Sequence, residues 1–281
     1  MASLPLKSEA PSMNANPFTP ADLEALRQAH ALLENPGLAA RMTNLIGAPV
    51  EKFLDRLPGG WNAQIGQVTR LALSKAADAA LFTLDDKPGG RSSDWWHKIG
   101  AAATGGVGGF FGLAGLAVEL PVSTTIMMRS IADIARSKGE SLADPGTRLA
   151  CLEVFALGGK SAADDGAESG YYLVRAALAH AISQAAEYTA GSVAVEKAAP
   201  PALMRLITMV AERFGIQITE KAAAQAVPAL GAAGGALINT LFINHFQDMA
   251  RGHFIIRRLD RHHGAEAVRE AYEALNQRRE D

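Results

Sequence analysis

Three observations predict an all-α fold, a multi-helix bundle with two central glycine-rich apolar helices. Apolar residues recur at three- and four-residue spacing over long stretches. Alternating β-branched runs bounded by turns are absent. The apolar share of 48% is heavy in alanine and aromatics are only 6%, which favours tight helices over sheets.

Residues 1–18 carry Pro, Ser and Asn without the continuous apolar stretch of a secretory signal, and read as a disordered cytoplasmic tail. Residues 19–281 read as a single helical domain. Its first helix starts at Thr19, whose hydroxyl caps free amides ahead of Pro20 and Asp22, and Asn35-Pro36-Gly37 stops it. Short helices follow at Leu38–Ile46 and Val50–Leu57. From Trp61, the positions Ile65, Val68, Ala72, Ala76, Ala79 and Phe82 keep one face apolar. Asp85–Asp94 has no periodicity and reads as a loop.

Ile99–Val118 is a run of twenty uncharged residues with seven glycines, followed by Glu119-Leu120-Pro121 and then an amphipathic helix to Ser137. Gly158–Gly170 is a polar break before a long helix from about Tyr171 to Val195. Leu203, Ile207, Val210 and Phe214 mark a helix ending at Gly215, with Thr219 placed to cap the next. A second uncharged run, Ala222–Ile243, is interrupted by Pro228 and leads into the basic segment Arg251–His263. The last helix turns Ala265, Val268, Tyr272 and Leu275 inward.

An isolated glycine costs a helix about 1 kcal/mol relative to alanine, so the glycine-rich run needs tertiary compensation. Gly105 with Gly109, and Gly108 with Gly112, are four apart and share one strip where missing side chains admit another backbone. The natural partner is the second run, Gly231, Gly234 and Gly235, with Asn239 beyond it. The pair reads as a buried soluble hairpin, a reversibly inserted pair or a membrane span. Gly and Ala add little transfer free energy, and Pro228 and Asn239 interrupt the second run, which argues against stable spanning.

With 27 basic and 29 acidic residues, the formal charge of -2 gives no global field for nucleic acid, which is not expected as a partner. The one cysteine, Cys151, lies in an apolar run and reads as a buried bystander in a reducing compartment. Gly158-Gly159-Lys160-Ser161 echoes the end of a phosphate-binding loop, but Val154 replaces the leading glycine and a helix precedes it. No cofactor, metal or catalytic residue is indicated.

A candidate polar site comprises Glu119, Arg129, Asp133, His245 and Asp248. Arg129 and Asp133 stand at pairing distance on a helix, His245 and Asp248 are one turn apart, and Glu119 needs a partner such as Arg129 or Asn239. Arg251, Arg257, Arg258 and Arg261 alternate with Phe254, Ile255, Ile256 and Leu259, a pattern able to lie on anionic lipid. The plainer reading is a helix C-terminus with favourable positive charge above a buried stripe.

On these residues the chain resembles the EcsC family from about Val50 to the C-terminal helix. The resemblance is carried by GLAGLAVELPVSTTIMMRSIADIARSKGE, residues 112–140, and VPALGAAGGALINTLFINHF, residues 227–246, followed by Arg257-Arg258-Leu259. Family members commonly have Asp-Leu-Pro where this chain has Glu119-Leu120-Pro121, so the charge is kept with a reach one methylene longer. The resemblance implies a membrane-proximal accessory role, and the leading reading is a non-enzymatic protein that docks on a membrane surface or a membrane transporter from the cytoplasmic side. A lipid or apolar-ligand module is the alternative, an uncharacterised hydrolase the third reading, and oligomeric state stays open.

Overall fold

The computed structural model describes residues 18–34, 37–57, 59–83, 112–159, 170–191, 201–227 and 231–280. Among these the regular elements are all helical: nine α-helices and two 3-10 segments, with no strand. The α-helices are α1 (Pro20–Leu33), α2 (Leu38–Ile46), α3 (Trp61–Thr83), α4 (Gly112–Ser137), α5 (Pro145–Glu153), α6 (Gly170–Gly191), α7 (Pro201–Gln225), α8 (Gly231–His263) and α9 (Ala265–Glu280). Gly105, Gly108, Gly109, the Asp85–Asp94 segment and Pro228 lie outside the described residues.

Local chemistry accounts for the ends of these helices. The Thr19 hydroxyl accepts the Asp22 backbone N–H at 3.1 Å, with Pro20 in the first turn. Asp144 caps α5 by accepting from the amides of Gly146 and Thr147 at 3.2 and 3.0 Å. Gly47 and Gly264 close α2 and α8 with φ of 74° and 85°, a left-handed conformation that glycine adopts without strain. Phe18, just before the first cap, stacks on His263 at 4.6 Å between ring centres.

Three elements differ from the sequence expectation. Val50–Arg56 forms a 3-10 segment, not an α-helix. α4 runs unbroken through Pro121, where the missing backbone N–H leaves one helical hydrogen bond unmade. Just after it, Ser123 donates to the Leu120 carbonyl at 3.2 Å and Thr125 to the Pro121 carbonyl at 2.8 Å. α7 likewise continues through Gly215, so Thr219 is not a cap but an internal residue donating to the Gly215 carbonyl at 2.9 Å. Buried Phe214 and Ile218 on either side outweigh a helix cost of about 1 kcal/mol for one glycine.

α8 is 33 residues long, about 50 Å, and packs against α1, α2, α4, α7 and α9. It supplies Ile238, Phe242, Phe246, Met249, Phe254 and Ile256 to the core. Its alignment with α4 follows from two side-chain bonds. Gln247 donates to Ser130 at 2.8 Å and Arg257 to Glu140 at 3.3 Å, each pair separated by 117 residues. Ser130 lies within α4 and Glu140 three residues past its end, and they meet successively later residues of α8, so the helices run parallel, not as the arms of a hairpin.

Between α1 and α8 the approach depends on a missing side chain. A Cβ on Gly252 would stand 2.6 Å from Leu33 Cγ and 3.2 Å from the Ala29 carbonyl oxygen. Gly252→Ala should gain about 1 kcal/mol of helix propensity and lose about 1–3 kcal/mol to overpacking. We expect a net loss, read as a lower urea midpoint; an unchanged or higher midpoint would show that Leu33 swings aside freely.

Candidate functional site

Among the described residues the most deeply enclosed ion pair is that of Glu119 of α4 and Lys221 of α7. Nζ stands 2.8 Å from Oε1, with the two side chains only 1% and 4% exposed for Lys and Glu. The same ammonium lies 4.9 Å from the centre of the Phe242 ring of α8, a cation–π contact. Glu119 thus has its partner, and it comes from α7 rather than from within its own helix. Lys221 is placed by α7's core stripe, since Ile207, Val210, Phe214 and Ile218 all point inward and Lys221 continues their spacing.

An enclosed ion pair is roughly neutral in stability against a well-packed apolar pair, but losing one member strands the other at a cost of about 3–5 kcal/mol. Lys221→Ala should show that loss in chemical denaturation. The double variant Glu119→Gln/Lys221→Met should recover more than half of it. Additive losses across the cycle would refute the coupling.

A second enclosed group joins α5, α6 and α8. The Tyr171 hydroxyl is 3.1 Å from His253 Nδ1, and His253 Nε2 is 3.6 Å from Glu153 Oε2. Burial pushes the Glu153 carboxyl up to about 7, with Arg175 and Arg257 drawing it back down in part. Burial first, then the same two arginines, holds the His253 imidazole well below its ordinary range. The contact is therefore not an ion pair near neutral pH: the imidazole is uncharged and the carboxyl is half-protonated. Arg175 brackets the group, donating twice to Asp260 Oδ2 at 3.1 Å and lying 5.5 and 5.7 Å from the ring centres of Tyr171 and Tyr172. Tyr272 of α9 closes it, 5.2 Å from Tyr172 between ring centres, with its hydroxyl donating to Glu34 at 2.8 Å.

Because Glu153 holds its proton to about pH 7 when folded and to about 4.5 when unfolded, unfolding releases a proton between those values. Its contribution therefore falls as pH rises through that window and is level above it. Replacing it by Gln should flatten the stability profile there by about 3 kcal/mol relative to the wild type. Parallel profiles for the two proteins from pH 4.5 to 7.5 would contradict the assignment.

The other sequence-named residues are dispersed. His245 is buried, and burial lowers its imidazole to about 3. Its ring packs on Gly158, whose φ is 74° and where an added Cβ would stand 2.6 Å from Nε2. Gly159 is similarly pressed by Gln217, whose amide donates to the Leu157 carbonyl at 2.8 Å. The paired glycines of the Gly-Gly-Lys-Ser stretch thus serve packing, and Lys160 and Ser161 lie outside the described residues. Asp248 accepts from Arg41 at 3.2 Å and Arg251 at 3.0 Å. Asp133 accepts from Arg136 at 2.8 Å, and Arg129 is exposed. Asn239 is fully buried on α8, and Gly234 is buried beside partly buried Gly235. Cys151 is buried, its thiol pushed up to about 12 by burial. Among the described residues no three His, Cys, Asp or Glu side chains are grouped to hold a metal ion.

The basic stretch of α8 is not a free amphipathic face. Phe254, Ile255, Ile256 and Leu259 are all in the core. Arg257 and Arg261 both bind Glu140, which also accepts from the Thr147 hydroxyl at 3.0 Å. Two of the four arginines are thus tied to one carboxylate at the end of α4.

Sequence reasoning did not find Lys221, Glu153, Tyr171 or Arg175. Lys221 and Glu153 each stand in phase with apolar core positions, and that coincidence is the signal that reveals them.

The model of the EcsC protein family matches residues 22–259. No curated protein and no solved structure gives a match.

Proposed function

Since the chain belongs to the EcsC protein family, we propose that it is a non-enzymatic accessory protein that docks peripherally on the inner face of a membrane. The docking element in this reading is the exposed apolar surface of α4 and α8. One observation carries it. Val122 of α4 and Leu237 of α8 are 45% and 53% exposed. Both are large apolar side chains left exposed on helices that pack against each other.

No helix among the described residues is long and apolar enough to cross a membrane, so the reading is of contact and not of spanning. Full burial of one such side chain contributes about 1.5–3 kcal/mol, which suits reversible attachment. The arginine-bearing stretch is not the docking face, because its apolar side is already buried.

Flotation of the full chain with phosphatidylethanolamine–phosphatidylglycerol vesicles tests the reading. The wild type should float and stay bound in high salt, since apolar burial is not screened. Val122→Asp/Leu237→Asp should weaken partitioning by about tenfold or more while far-UV circular dichroism is unchanged. A wild type that never floats, or a double variant that floats equally, overturns it.

A further inference from the structure

We propose that Arg257 is a proton-operated tether, held on Glu140 while Glu153 carries its proton and transferred to Glu153 when that proton leaves. The device lies inside the bundle and does not rest on the membrane reading. His253, Arg257 and Arg261 follow one another at four-residue spacing on α8, so their side chains lie along one stripe. Glu153 stands at the His253 end of that stripe, with Oε2 3.6 Å from Nε2. Glu140 stands at the other end, bound by Arg257 at 3.3 Å and by Arg261. Arg257 is therefore placed between two carboxyl groups and bonded to one of them.

The two carboxyls are unequally served. Glu140 has two guanidinium groups and the Thr147 hydroxyl. The Glu153 side chain is 6% exposed, and among the described residues its one polar contact is the His253 ring, too distant for a hydrogen bond. His253 Nε2 is itself enclosed and unbonded, because the Tyr171 hydroxyl occupies only Nδ1. A neutral carboxyl tolerates that setting, whereas a carboxylate there needs a cation. Burial pushes Glu153 up to about 7, and Arg175 and Arg257 are the charges that draw it back.

The other groups around Glu153 cannot supply that cation. Arg175 donates twice to Asp260 Oδ2, and the other oxygen of Asp260 is already enclosed and unbonded, so its departure would strand a second acid. The Tyr171, Tyr172 and Tyr272 phenols and the Cys151 thiol are pushed up by burial and stay neutral. α3 turns Arg70, Lys75 and Asp78 to solvent, and the fully enclosed charges of α4 and α7, Glu119 and Lys221, hold each other. Arg257 is the spare, because Arg261 keeps Glu140 when it leaves. Loss of one proton thus moves a bond of α8 from the turn after α4 to the end of α5, a local charge change with two defined arrangements.

Infrared titration of the full chain tests the tether. The Glu153 carbonyl stretch, read as the signal missing from Glu153→Gln, should be present in acid and lost with a midpoint at about pH 7. Arg257→Gln should move that midpoint up by about one unit or more, since the carboxylate loses its cation. Arg261→Gln should also move it up, because Arg257 must then stay on Glu140. Arg261 is half-exposed and is not among the charges acting on Glu153, so a merely structural role would leave the midpoint in place. Amide exchange over residues 138–147 of the wild type, corrected for intrinsic rates, should quicken by about fivefold from about pH 6 to about pH 8, and should not do so in Glu153→Gln. A Glu153 signal absent at every pH, a midpoint unmoved by Arg261→Gln, or the same quickening in Glu153→Gln overturns the proposal. Should Arg257→Gln lose its far-UV spectrum, Arg261→Gln and Glu153→Gln decide the matter without it.

Discussion

Lys221 sits in the middle of the bundle with its charge answered by Glu119 and the face of Phe242. An ammonium so enclosed tolerates little displacement of its acceptors, because either one moving away would leave a charge in a medium of low polarity. The contact thereby links α4, α7 and α8 in one arrangement. It also falls two residues before Pro121, where α4 is weakest in backbone hydrogen bonds, so the helix is braced from outside at the point where it is least able to brace itself. The apolar contacts around it are plastic by comparison, since several packings of similar volume differ little in energy.

α8 carries an unusual load of buried polarity for a helix so central. His245, Gln247 and His253 are all enclosed along it, and the two imidazoles are held neutral by burial. Keeping these side chains uncharged lets them lie among phenylalanines without counter-ions, at the cost that acidification must eventually charge them. Hydrogen-bond geometry, not charge, then decides where they sit: Gln247 on Ser130, His253 on Tyr171. The first bond fixes α8 against α4 and the second fixes it against α6, where apolar contacts alone would leave it free to slide.

Most helices were legible because their signals are local. The Thr19 cap, the apolar stripe from Trp61 and the inward Val268 and Tyr272 depend on neighbours within a few turns. Local signals also misled: Gly215 read as a helix end, yet packing across the bundle carries α7 through it. The partnerships were not legible. Glu119 meets Lys221 across 102 residues and Tyr272 meets Glu34 across 238, and helical periodicity contains no information on such distances. The arginines of α8 show the same limit. Their spacing looks amphipathic whichever side the core lies on, and only the neighbouring Glu140 reveals that two of them are already engaged.

The family match closes at residue 259, yet the folded core does not. Tyr272, from the helix after that limit, is fully buried against Tyr171 and Tyr172, whose positions fall inside the match. A polypeptide trimmed to the shared region would leave a phenol-sized vacancy beside Tyr171 and Tyr172 and remove the hydroxyl that Glu34 accepts from. Homology and structural completeness therefore end at different residues, and the closing helix is a working part of the interior and not an appendage.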